Sequence, residues 1–93
     1  MHIAALSVEL EITDGVTLKD KRQVVRSLLD RIRGRFNVSA AEIGRLNSPH
    51  YATLAAVAVA NEQPFVDEVM ARVANFIESE PRVVVLARDL EFL

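Results

Sequence analysis

The stretch Tyr51–Ala60, YATLAAVAVA, decides the fold. Its small and β-branched residues fall on both parities, so it has neither the alternation of a half-buried strand nor the spacing of an amphipathic helix. Such a run predicts a strand buried in the middle of a sheet. Ahead of it Gly44 to His50, GRLNSPH, is a loop built from glycine, asparagine, serine and proline. Phe36 to Ile43, before that loop, reads as a strand of mixed character. Behind the central strand Asn61 can cap a helix with Pro64 in its first turn, where a missing N–H costs little. Phe65, Val66, Val69, Met70, Val73, Phe76 and Ile77 supply that helix's buried face, while Asp67, Ala71, Asn75 and Glu78 point out. Glu68 and Arg72 are ordered for a favourable i,i+4 pair. Pro81 ends the helix, and Arg82 to Phe92 is a last strand.

The N-terminal half repeats the pairing of strand with helix. Leu6, Val8, Leu10 and Ile12 alternate with Ser7, Glu9 and Glu11, the period of a half-buried strand. After the turn Thr13-Asp14-Gly15, Thr17 and Asp20 have capping-box spacing at the start of a helix that Gly34 can stop. Leu18, Val25, Leu28, Leu29 and Ile32 fall in one sector roughly 100° wide, the width of a helix laid on a sheet. The order is strand, helix, strand, strand, helix, strand, which is the ferredoxin-like α+β plan. It predicts a four-stranded antiparallel sheet, strands one and three central, two helices on one face and the other face open.

At 93 residues the chain reads as a single domain, 1–93, and its 51% hydrophobic content supplies a core. No cysteine is present, which removes disulfides and thiolate metal sites and fits a reducing compartment. MHIAALSVELEI alternates like a strand and lacks a basic leader, and no run reaches the roughly 20 apolar residues of a membrane span. A cytoplasmic protein without membrane partners is expected.

Charge is strongly polarised. Thr17 to Arg35, TLKDKRQVVRSLLDRIRGR, holds seven of the eleven basic residues, Lys19, Lys21, Arg22, Arg26, Arg31, Arg33 and Arg35, against only Asp20 and Asp30. Lys19, Arg22, Arg26 and Arg33 share a sector of about 60° beside the buried stripe, a row that could follow a phosphate backbone. Lys19, Lys21 and Arg22 crowd the positive end of the helix dipole, where an exposed cation is disfavoured by roughly 0.3–1 kcal/mol. Arg22 repels Arg26, and Arg26 with Asp30 is the weaker orientation of an ion pair. Three readings follow: a solvated face, pairing with carboxylates such as Glu9, Glu11 or Asp89, or an anion site at the helix start around Thr17 and Lys19. Lys21 falls inside the apolar sector, where its stem is expected to snorkel along the end of the sheet.

The words TLKDKRQVV, RFNVSAAE and FIESEP, in this order and spacing, resemble the YlxP-like family, a bacterial domain of unknown function. The resemblance covers essentially the whole chain and implies a ferredoxin-like fold and a link to ribosome maturation or translation, with no known reaction. It places the family's opening helix motif on Lys19, Asp20, Lys21 and Arg22. In the loop, where many members carry a tryptophan, this chain has GRLNSPHY.

Other sites carry less. An RNA recognition motif stacks bases on sheet aromatics, whereas the open face here presents Ala5, Ser7, Glu9, Glu11 and mostly small residues of the third strand, with Tyr51 the one aromatic. An apolar central strand facing outward is better explained by a homo-oligomer joined through the open sheet face. His2 and His50 form no metal signature, Ser48 beside His50 lacks an orienting third group, and the three glycines are too far apart to cradle a phosphate. No enzyme, cofactor or metal is expected. Two functions remain: binding of RNA or a ribosomal subunit through Lys19, Lys21, Arg22, Arg26 and Arg33, or a homo-oligomeric structural or regulatory domain whose basic helix meets an acidic protein partner.

Overall fold

The computed structural model describes residues 1–15 and 17–93. Its elements are β1 (His2–Ile12), α1 (Leu18–Arg35), β2 (Ser39–Gly44), β3 (Tyr51–Ala60), α2 (Gln63–Glu78) and β4 (Val83–Phe92). The four strands form one antiparallel sheet in the order β2-β3-β1-β4. The ferredoxin-like α+β plan is therefore realised, with strands one and three central.

Alternation sets the two faces. Ala4, Leu6, Val8, Leu10 and Ile12 of β1 and Ala52, Leu54, Ala56 and Ala58 of β3 are buried, and they share one core with Val24, Val25, Leu28, Leu29 and Ile32 of α1 and Val66, Met70, Val73, Ala74 and Ile77 of α2. Alanines at four of those nine strand positions leave room for two helices to lie close to the sheet. The opposite parity, Ala5, Ser7, Glu9 and Glu11 facing Val57, Ala55, Thr53 and Tyr51, forms the open face.

Capping fixes where α1 begins. Thr17 Oγ1 accepts from the Asp20 amide at 3.1 Å and the Thr17 amide donates to Asp20 Oδ2 at 3.2 Å, the reciprocal box that the spacing predicts. Gly15 allows the approach, because at φ +100° a Cβ there would lie 2.5 Å from that of Asp20.

Several boundaries differ from expectation. The helix runs through Gly34 to Arg35, and Phe36 is its C-cap rather than the start of a strand, so β2 begins at Ser39. Asn61 does not cap α2: Glu62 stands at the N-cap without a side-chain bond, and Pro64 in the first turn sets the start. Phe65 is 55% exposed instead of buried. At about 100° per residue the buried sector of α2 centres between Val66 and Ala74, which puts Phe65 beyond its margin and leaves Val69 and Phe76 on the edge.

Candidate functional site

The seven cations of α1 divide into those the fold uses and those it leaves to solvent. Lys21 is completely buried, contrary to the expected snorkelling. Its Nζ lies 2.6 Å from Glu42 Oε2 on β2 and donates to the carbonyls of Arg45 at 2.8 Å and Leu46 at 3.5 Å. Three acceptors around three N–H donors compensate the desolvation that would otherwise expel the charge. The same Arg45 carbonyl accepts from the Ser48 amide at 3.0 Å, so the ammonium holds the β2–β3 turn in which Arg45 adopts φ 60°.

Arg31 reaches across to Glu80, whose side chain is 3% exposed and which also receives Arg82 Nη2 at 2.9 Å and Nε at 3.0 Å. The Arg82 side-chain hydrogen bonds outweigh burial and, with Arg31 and the Arg82 amide, lower the Glu80 carboxyl to a pKa of about 2. Arg33 turns to the edge strand, where Nη2 and Nε donate to the Ala40 carbonyl at 2.7 and 3.2 Å, and it meets Asp30 at 3.5 Å. Asp30 thus pairs with Arg33 and not with Arg26. Arg35 stands 5.0 Å from the ring centroid of Phe76.

Lys19, Arg22 and Arg26 remain. All three are exposed, and among the described residues none has a carboxylate, carbonyl or ring partner. Spacings of three and four residues set them about 4.5 and 6 Å apart along the axis on one flank. Arg33 shares that flank and contacts β2, so the row runs beside the sheet's β2 edge. Lys21 and Arg33, grouped with this row by the sequence, point elsewhere: one into the core, the other onto a strand carbonyl. Glu9, proposed as a partner for the row, accepts instead from Thr53 Oγ1 at 2.9 Å.

Among the described residues no cluster of three or more histidine or acidic side chains could hold a metal. Ser48 Oγ accepts from the amides of His50 and Tyr51 at 3.3 and 3.1 Å, which makes it a turn-former. Among the described residues no helix is long and apolar enough to cross a membrane.

The three family-like words interlock. Lys21 of the first meets Glu42 of the second, Phe36 of the second packs edge to face on Phe76 of the third, and Glu80 of the third grips Arg31. A family model described as a protein of unknown function (DUF503) matches residues 3–89. The chain belongs to this family. The uncharacterized protein YlxP of Bacillus subtilis (strain 168) is 33% identical over 75 residues, 81% of this chain and 82% of that protein, in line with the resemblance read from the sequence. In this DUF503 chain the opening motif resolves by position: Thr17 and Asp20 cap, Lys21 is a core cation, and Lys19 and Arg22 face solvent.

The sequence reading missed the Lys21–Glu42 and Arg31–Glu80–Arg82 groups. For the first a signal existed, a lysine near the centre of an apolar sector. Glu80 has Arg82 two residues on in the chain, but its burial and its second partner carry no local signal, because Arg31 comes from α1.

Proposed function

We propose that this chain is a non-catalytic binding domain that docks on RNA, on a ribosomal subunit or its precursor, through Lys19, Arg22 and Arg26. The observation that supports the reading is the division of the α1 cations: four are engaged within the fold and three, in one row, are left without partners. The position of Lys19 and Arg22 near the positive end of the helix, which costs stability, is accounted for when a polyanion neutralises them. The resemblance to the YlxP-like family points the same way, toward ribosome maturation in the cytoplasm. Co-sedimentation with ribosomal subunits over a salt series tests it, with Lys19, Arg22 and Arg26 reversed to glutamate as the comparison.

A second reading, a homo-oligomer whose basic helix meets an acidic protein, draws on the open sheet face. There Val57 and Val59, 40% and 58% exposed, stand opposite Ala5 and Ile3. Light scattering with an RNA pull-down separates the two, since an oligomer indifferent to RNA favours the second.

A further inference from the structure

A second cationic site lies at the C-terminal end of α1, where Arg35, Phe36, Arg72, Asn75, Phe76 and Ser79 line a shallow, solvent-open groove of about 560 Å³. That volume is within the roughly 300–1,000 Å³ of small-ligand sites. Phe36 and Phe76 meet with ring centroids 5.7 Å apart at 69°, and the guanidinium carbons of Arg35 and Arg31 stand 5.0 and 5.5 Å from the Phe76 centroid. Among the described residues Arg35 has no carboxylate partner. Arg72 has Glu68 at 2.7 Å, but those side chains are 67% and 59% exposed, and a pair so wet exchanges readily for a ligand anion.

We infer that this groove takes a nucleotide. Arg72 would hold the phosphate, the base would stack on the Arg35 guanidinium beside Phe76, and the exposed Asn75 amide offers both a donor and an acceptor to the base edge. A bare anion has no use for the aromatic pair, and an apolar ligand has none for two guanidinium groups. The inference rests on the RNA reading above, because it makes the groove the place where a bound strand presents one base. Arg22 and Arg35 are about 20 Å apart along the helix and about 140° apart around it, so a single strand that reaches both crosses over the last turns of α1.

The test compares a short oligoadenylate, inorganic polyphosphate of matched charge, and free AMP by titration calorimetry. The proteins are the intact chain, its Arg35→Lys variant, which keeps the charge and removes the plane, and the Lys19, Arg22, Arg26 reversal. Oligoadenylate should bind the intact chain about 5- to 100-fold more tightly than polyphosphate, the range for stacking one base. Arg35→Lys should remove that advantage and leave polyphosphate affinity unchanged. AMP binding by the intact chain that is lost in Arg35→Lys identifies free nucleotide as a source; an oligoadenylate advantage of the intact chain without AMP binding identifies the strand; an advantage that survives in Arg35→Lys overturns the site. Equal affinity for oligoadenylate and polyphosphate, with no AMP binding, overturns the nucleotide site and leaves the basic row standing. Binding of both polymers unaffected by the triple reversal overturns the row instead.

Discussion

The Lys21 ammonium and the Glu42 carboxylate meet at 2.6 Å, joining the first turns of α1 to the edge strand β2. Lys21 also holds two carbonyls of the turn that follows β2, so this one charge carries the loop as well as the strand. Breaking such a pair from one side leaves an uncompensated buried charge.

Glu42→Ala is therefore expected to destabilise the fold by about 3–5 kcal/mol. Lys21→Met, which replaces the ammonium with an apolar chain of similar length, should cost less, because Glu42 retains some contact with water at 16% exposure. Denaturant melts of both variants and of the double variant measure the coupling.

Glu80 gives the stability a dependence on acid. Its folded-state value of about 2 lies below the ordinary 4.5, so the contribution is complete above pH 4.5 and is lost as pH falls toward 2. The full effect is on the order of 3 kcal/mol. Melts of the intact chain and of Glu80→Gln should converge as pH falls through that window, with the intact chain more stable at neutral pH.

Gly15→Ala should destabilise by about 1–3 kcal/mol, through a left-handed backbone that alanine resists and displacement of the Asp20 cap. The loss should appear as a lower melting temperature with the sheet signal in circular dichroism retained. Replacement of Gly34, where an added Cβ meets nothing within 4 Å, should not destabilise and is the control.

Periodicity carried the fold. The both-parity run at Tyr51–Ala60 marks a central strand, although its burial alternates and leaves Val57 and Val59 exposed, and the alternation before Ile12 and the apolar sector of α1 each report a local geometry that the sheet then completes. It failed where a side chain's fate depends on what lies across from it. The helical angle of Lys21 says that it points inward, but Glu42 and the two carbonyls that make this tolerable come from β2 and its turn, more than twenty residues away in the chain. Arg33 was legible as part of a row, but not as a cap on the Ala40 carbonyl, because the free edge of β2 exists only once the strands are ordered. Phe65 shows the same limit in reverse: apolar and near the buried sector, it lies just past the last neighbour that could cover it.

Salt-dependent co-sedimentation with ribosomal subunits tests the central claim most directly. If Lys19, Arg22 and Arg26 neutralise three phosphates of a single-stranded segment, the logarithm of the association constant should fall with that of salt at a slope of about −2. The triple reversal to glutamate, with an unchanged circular dichroism spectrum, should abolish the association. Equal binding by the intact and reversed proteins across the salt series would contradict the assignment of this row as the contact surface.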